Sequence, residues 1–298
     1  MQRLDGLLSA RRETVRRTLD ACDALAAGPD ESAAAEVHRN ASELLAELRA
    51  PERGADTLTT LATRLDDAVR SDGPELLDLD VVPRAVKSVT MRLLHRTNAA
   101  VGSYDTWTAA VRSALGARGS AHLYDLGAGT GGYARHLAKH PPAGLALRVT
   151  SSDLEPAYVA AGERAALDEG LRGITWEVCD ALDLRALRER ADVDLFLCTQ
   201  AAHHLPPGML VRMISEAVRS APGGLLVVDL SRSVATALAT AAVTSIVAPW
   251  PLLVYDGFQS VRRAYTPAEF ALLARLAGAT RVDAKPFGPA WCSLHARR

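Results

Sequence analysis

Two groups of residues in this 298-residue chain have the types and spacing for chemistry. The first is YDLGAGTGGY, Tyr124 to Tyr133, where Asp125 precedes Gly127, Gly129, Gly131 and Gly132. Glycines let the backbone turn tightly and let a ligand approach peptide N–H groups that a Cβ would block. A helix opening at Tyr133 aims its positive N-terminal end at such a ligand. Gly127-x-Gly129-x-x-Gly132 satisfies the dinucleotide pattern, and Asp153 falls where a ribose-binding acid belongs. Asp125 opposes that reading, because a carboxylate two residues before the first glycine would repel a pyrophosphate. A ligand with an ammonium group, a ribose diol and an adenine suits both acids. The second group is His203-His204, followed by Pro206-Pro207. At about pH 7 a histidine is neutral enough to accept a phenolic or enolic proton.

These residues need a scaffold, and the chain changes character near residue 120. Residues 1–118 read as helices: apolar residues recur at three- and four-residue steps from Leu4 to Leu25, ending at Gly28-Pro29. Further helices are expected over 31–48 (stopping before Pro51), 58–69, from Pro83 to Arg96, and 104–115. One apolar stripe per helix predicts a cap lying on the second half. From Ala121 short apolar runs alternate with helical ones, the mark of βαβ units and a parallel sheet. His122–Leu126, Leu147–Ser151, Thr175–Val178, Leu195–Thr199 and Leu225–Leu230 are the strands; Arg281–Lys285 and Trp291–Ala296 form a closing hairpin. The predicted fold is α/β, a doubly wound Rossmann-like sheet with a terminal antiparallel strand, plus an N-terminal all-helical cap.

Composition narrows the function classes. Lys+Arg 34 against Asp+Glu 35 leaves no basic stripe for nucleic acid. Cys22, Cys179, Cys198 and Cys292 are scattered, which excludes a disulfide framework or a structural zinc site of grouped thiols. The sequence carries no Asp/Asn group with ligand spacing and its cysteines are dispersed, so it predicts no metal ligands. The charged N-terminus lacks the apolar run of a signal peptide, and no long uninterrupted apolar stretch predicts a membrane span. A cytoplasmic protein is expected.

The motifs together resemble those of the class I S-adenosylmethionine-dependent methyltransferases, over roughly residues 90–298. Asp125, Gly127, Ala128, Gly129, Thr130 and Gly131 match that family's glycine-rich first motif. Asp153, with Leu154 beside it, matches the acid that binds the ribose hydroxyls, and Asp180-Ala181 the pair beside the adenine. DLFLCTQAAHHLPP matches the fourth strand and its loop, which brings Thr199 and Gln200 to the cofactor, and Pro222–Leu230 matches the fifth-strand motif. Tyr104 lies where the family often lays a residue over the cofactor. The plainer readings are that Asp153 caps the following helix and that Asp180 serves a turn. S-adenosyl-L-methionine is the implied cofactor, and the sulfonium carries its own leaving group. An enzyme then has to align donor and acceptor, exclude water and deprotonate a hydroxyl acceptor. His203 is the expected base, with His204 beside it and Asp229 as the orienting carboxylate; packing histidines are the alternative.

Two regions are expected: a helical cap, lid or dimerisation region over 1–98, read from the apolar stripes, and a methyltransferase domain over 99–298, implied by the resemblance. The expected reaction is O-methylation of an aromatic or polyketide-like natural product. Alternatives are a cyclisation or rearrangement on the same fold, or a non-catalytic binding role, with a homodimer as one use of the helices. Trp250, Leu252, Leu253, Tyr255, Phe258 and Tyr265, in the insert after the fifth strand, suit either a flat substrate or packing on the cap or a second subunit. Arg232, Arg262 and Arg263 are expected to pair with Asp256 rather than with a substrate carboxylate.

Overall fold

The computed structural model describes residues 2–50 and 57–298. Its N-terminal region holds α1 (Gln2–Ala10), α2 (Arg12–Ala27), α3 (Glu31–Arg49), α4 (Thr57–Ala68), α5 (Arg84–Ala100) and α6 (Ser103–Leu115), with a 3₁₀ turn at Leu76–Asp78. The first two differ from expectation, since one continuous helix was predicted there. The chain breaks at Arg11, whose guanidinium reaches Glu47 of α3 at 2.6 Å, so that α1 can turn onto α3. Asp30 starts α3 by accepting a hydrogen bond from the Ala33 N–H at 2.9 Å. The stop expected at Pro51 lies outside the described residues.

The second region alternates strands and helices: β1 (Ser120–Asp125), α7 (Gly132–Lys139), β2 (Ala146–Asp153), α8 (Pro156–Asp168), β3 (Ile174–Val178), α9 (Arg185–Arg190), β4 (Leu195–Thr199), α10 (Pro207–Ser220) and β5 (Leu225–Leu230). It continues with α11 (Val234–Val247), α12 (Pro251–Arg263), α13 (Pro267–Leu276), β6 (Arg281–Phe287) and β7 (Trp291–Arg297). The seven strands form one sheet in the order β3-β2-β1-β4-β5-β7-β6, with β7 antiparallel to both its neighbours.

The central strands β4 and β5 are buried at every position because both faces are covered. Phe196 and Cys198 of β4 enter one core with α2, α3, α10 and α13, while Leu195 and Leu197 enter the other with α6 and α7. The helical region is split between these faces. α2 and α3 lie on α10 and α13, whereas α5 packs against α6, α11 and α12 beside the carboxyl ends of the strands.

Candidate active site

β1 pairs with β2 on one side and β4 on the other, so the connections after β1 and β4 leave in opposite directions and open a crevice at the carboxyl ends of the strands. The glycine loop runs along this crevice. Gly127, Gly129 and Gly131 have φ of 64°, 57° and 63°, the left-handed region that glycine enters without a Cβ penalty. Ala128 N–H donates to the Ser152 carbonyl at 2.8 Å, and Gly129 N–H donates to Asp153 Oδ2 at 2.8 Å. The other Asp153 oxygen accepts from Glu155 N–H at 2.9 Å. Asp153 thus ties the loop to the end of β2, and it keeps lone pairs for a diol.

Asp125 is different. It is 2% exposed and its Oδ1 has no hydrogen-bond partner. Burial, reinforced by the nearby Asp153 carboxylate, pushes its carboxyl up to about 8. A buried, unpartnered oxygen at this position fits an ammonium group, which is the test that S-adenosylmethionine has to pass here.

The crevice has a helical roof that the sequence did not reveal. A Cβ on Gly129 would stand 3.0 Å from Met91 Cε, and one on Gly132 would stand 2.0 Å from the His95 ring, so α5 rests on the loop. Hydrogen bonds hold it there. His95 Nε2 pairs with Thr130 Oγ1 at 2.7 Å, and its Nδ1 pairs with the Tyr104 hydroxyl at 2.9 Å. Burial and then Arg135 lower His95 to about 4, so the ring is neutral. Tyr104 is buried among Trp107, Tyr133 and His136. Asn98 Nδ2 donates to Gln200 Oε1 at 2.7 Å, while Gln200 itself holds φ of 52°, an uncommon backbone for a non-glycine residue. Thr199, before it, is buried at the end of β4. On the other side of the sheet order, Leu154 is 66% exposed after β2, and Asp180 Oδ1 accepts from Leu182 N–H at 2.8 Å in the turn before Ala181 and α9.

The two histidines begin in a 3₁₀ turn, Ala202–His204, directly after β4. His203 is buried. Asp229 of β5 accepts its backbone N–H at 2.9 Å and meets its Nδ1 at 2.8 Å. Its Nε2 faces Glu75 Oε1 at 3.3 Å, and His204 Nε2 lies 3.8 Å from Glu75 Oε2. His204 is partly exposed, with Asp78 3.4 Å from its Nδ1. Arg263 joins the group by donating to Asp78 at 2.8 Å and to the His203 and His204 carbonyls at 3.2 and 3.0 Å.

Burial alone would lower the His203 imidazole, but Asp229 and then Glu75 raise it to about 10. The neutral histidine expected from the sequence is therefore a charged one at neutral pH. Burial works against Glu75 as well, yet His203, His204 and Ser260 keep its carboxyl below the usual range. Glu75 and Asp78 sat unmarked in an acidic link, because nothing local to residues 75–80 signals where a 3₁₀ turn will dock.

Other expectations need correction. Arg262 and Arg263 do not pair with Asp256, and neither does Arg232. Arg262 donates to the Val69 carbonyl at 2.8 Å and stacks on Phe258, while Arg232 pairs with Glu269 at 2.5 Å. Asp256 accepts instead from the backbone N–H groups of Leu76 and Leu77 at 2.7 and 3.1 Å. A helical turn starts with free N–H donors, and a carboxylate inside α12 answers them. In the aromatic-rich insert, Trp250 Nε1 donates to Thr90 Oγ1 of α5 at 2.9 Å and the Tyr265 hydroxyl to the Leu205 carbonyl at 2.8 Å, so both are engaged in packing. Tyr255 and Phe258 line an open apolar groove between α11 and α12.

A parallel sheet reversed at β1/β4, with an antiparallel β7 and a glycine loop at the switch point, defines a Rossmann-like methyltransferase fold. Residues 123–224 match the family model described as a methyltransferase domain. Over those residues the chain carries a methyltransferase domain.

Among solved structures it is similar to a SAM-dependent methyltransferase from Aquifex aeolicus, at 18% identity over 63% of this chain and 88% of that one, TM-score 0.43. It is also similar to magnesium protoporphyrin IX methyltransferase from Synechocystis PCC 6803, at 19% identity over 80% and 95%, TM-score 0.45. An O-methyltransferase from neocarzinostatin biosynthesis, with S-adenosylmethionine and 2-hydroxy-5-methyl naphthoic acid, aligns at 22% identity over 59% of this chain but 49% of its own length, TM-score 0.42. No curated protein matches the sequence.

Proposed function

We propose that the protein methylates an oxygen of a small hydroxyl-bearing molecule, of the aromatic or polyketide-like class. The observation that carries this reading is the buried chain Asp229–His203–Glu75, at the ends of β4 and β5 on the same side of the sheet as the glycine loop. Bound S-adenosylmethionine supplies an electrophilic methyl group on a sulfonium. Asp125 would hold the ammonium, Asp153 the ribose hydroxyls and Asp180-Ala181 the adenine edge. Gly127, Ala128, Gly129, Thr130 and Gly131 offer the backbone cradle, with Leu154, Thr199, Gln200 and Tyr104 around it. α5, anchored by His95 and Asn98, excludes water from above.

His203 carries a proton in the free protein, so it would first release that proton to solvent as Glu75 gives up its contact; the neutral ring, held by Asp229, would then take the acceptor's proton. An imidazole flanked by two carboxylates tolerates the positive charge left on it. His204, partly exposed, stands at the rim.

The test is single-turnover methyl transfer with phenolic acceptors, followed as S-adenosylhomocysteine. His203→Ala should slow the reaction about 10²–10⁴-fold with cofactor affinity little changed. That deficit should shrink between about pH 6 and about pH 10, as a phenol begins to ionise unaided. Equal, small effects from His203→Ala and His204→Ala would mean that alignment alone drives the reaction. No turnover with any acceptor would favour a rearrangement or a binding role.

A further inference from the structure

Glu75, His203 and His204 form a group whose geometry exceeds what proton transfer requires. One ligand atom from each lies within 4.8 Å of the others. Donors bound to a tetrahedral ion at about 2.0–2.1 Å stand about 3.4 Å from one another. Glu75 Oε1 stands 3.3 Å from His203 Nε2 and meets this, while the nearer Glu75 oxygen to His204 Nε2 is Oε2 at 3.8 Å, so a small turn of the carboxylate is needed for one oxygen to serve with both rings.

The orientation of both rings is settled from behind. Asp229 backs Nδ1 of His203 and Asp78 backs Nδ1 of His204, which leaves both Nε2 atoms turned toward Glu75. Carboxylate-backed imidazoles with converging outer nitrogens are the arrangement that orients and strengthens metal-bound histidines. Charge points the same way. Three carboxylates, Glu75, Asp78 and Asp229, meet one guanidinium, that of Arg263 on Asp78 at 2.8 Å. The three carboxylates outnumber the one guanidinium, and the outer edge of the group, at His204 and Asp78, is open to an entering ion.

We propose that Glu75, His203 and His204 bind a divalent transition ion of the zinc class, through both Nε2 atoms and a Glu75 oxygen. Three protein ligands leave a fourth position for water or a substrate oxygen, as in catalytic rather than structural sites. The ion and a proton on His203 exclude each other. Coordination would lower the pKa of a hydroxyl placed on the ion so that its proton passes to water, and the ion-loaded protein would activate an acceptor without an imidazole base. This inference goes beyond the O-methylation reading and stands without it.

The experiment uses the full chain, stripped with a chelator and free of cofactor and acceptor. It is titrated with Co²⁺ alone and then with Zn²⁺. One Co²⁺ per chain should bind with the visible absorption of a tetrahedral site, and one Zn²⁺ should displace it. Asp229→Asn should weaken the ion about 10–100-fold, as loss of an outer partner does. His204→Ala removes a partly exposed ligand without opening the core, and it should weaken binding further while circular dichroism stays native. The proposal is overturned if wild-type protein takes up no stoichiometric ion, or if Zn²⁺ affinity is the same in His204→Ala and Glu75→Gln as in wild type. Loss of methyl transfer alone, with ion binding intact, would count against the O-methylation reading only.

Discussion

Asp125 is the residue at which the fold leaves the most work for a ligand. Its buried carboxyl, raised to about 8, holds a proton at neutral pH in the free protein, while the unfolded chain would ionise it. Its contribution to stability therefore falls as pH rises from the ordinary carboxylate range toward about 8. A ligand ammonium reverses the preference. Binding of S-adenosylmethionine at neutral pH should release a proton, and affinity should climb with pH and level off above about 8. Calorimetry in two buffers of different ionisation enthalpy measures this; no proton release would remove Asp125 from the ammonium site. Asp125→Asn should weaken binding by about 1.5–3 kcal/mol, the range for hydrogen bonds to charged groups. Asp125 was legible because its spacing from the glycines is local. Glu75 was not, since its meaning depends on a partner far along the chain.

At the scale of elements, α5 is the piece that turns an open crevice into a roofed one. The periodic apolar positions that predict the helix say nothing about where Met91 and His95 land. The glycines read as ligand cradle also serve the protein itself, because Gly132 is the floor on which His95 sits. Gly132→Ala should cost about 1–3 kcal/mol, the usual penalty of overpacking, as the new methyl drives the ring away from Thr130 and Tyr104. Thermal unfolding should show most of that loss recovered when His95→Ala is added. Additive losses in the double variant would place the strain elsewhere. The cap of α13, where Thr266 accepts from Glu269 N–H, is a finding of the structure, while the strands and the β6–β7 hairpin followed from alternation and length. The break at Arg11 did not, because the contact with Glu47 that accompanies it is tertiary.

Across the whole molecule, the N-terminal helices are welded to the sheet rather than hung beside it. Glu269 of α13, 2% exposed, takes Arg49 from the end of α3 and Arg232 from beyond β5, each at 2.5 Å. Burial would raise its carboxyl, but the two guanidiniums hold it below the usual range, so its contribution is present above the ordinary carboxylate pKa and is lost as pH falls. Glu269→Ala leaves two buried cations facing each other and should cost about 3–5 kcal/mol in chemical denaturation. An unchanged midpoint would show that the N-terminal helices are held by apolar packing alone. The same reach across the chain governs the histidine group. The glycine loop closes on residues only 24 apart, Gly129 and Asp153, and it can form as soon as β2 exists. His204 and Asp78 are 126 apart, and Glu75 also needs Ser260, 185 residues downstream. A chain emerging from the ribosome can thus close its glycine loop early, and its histidine group comes together nearly last. Every nascent intermediate between those two moments has a formed glycine loop and a histidine group still waiting for its last partner.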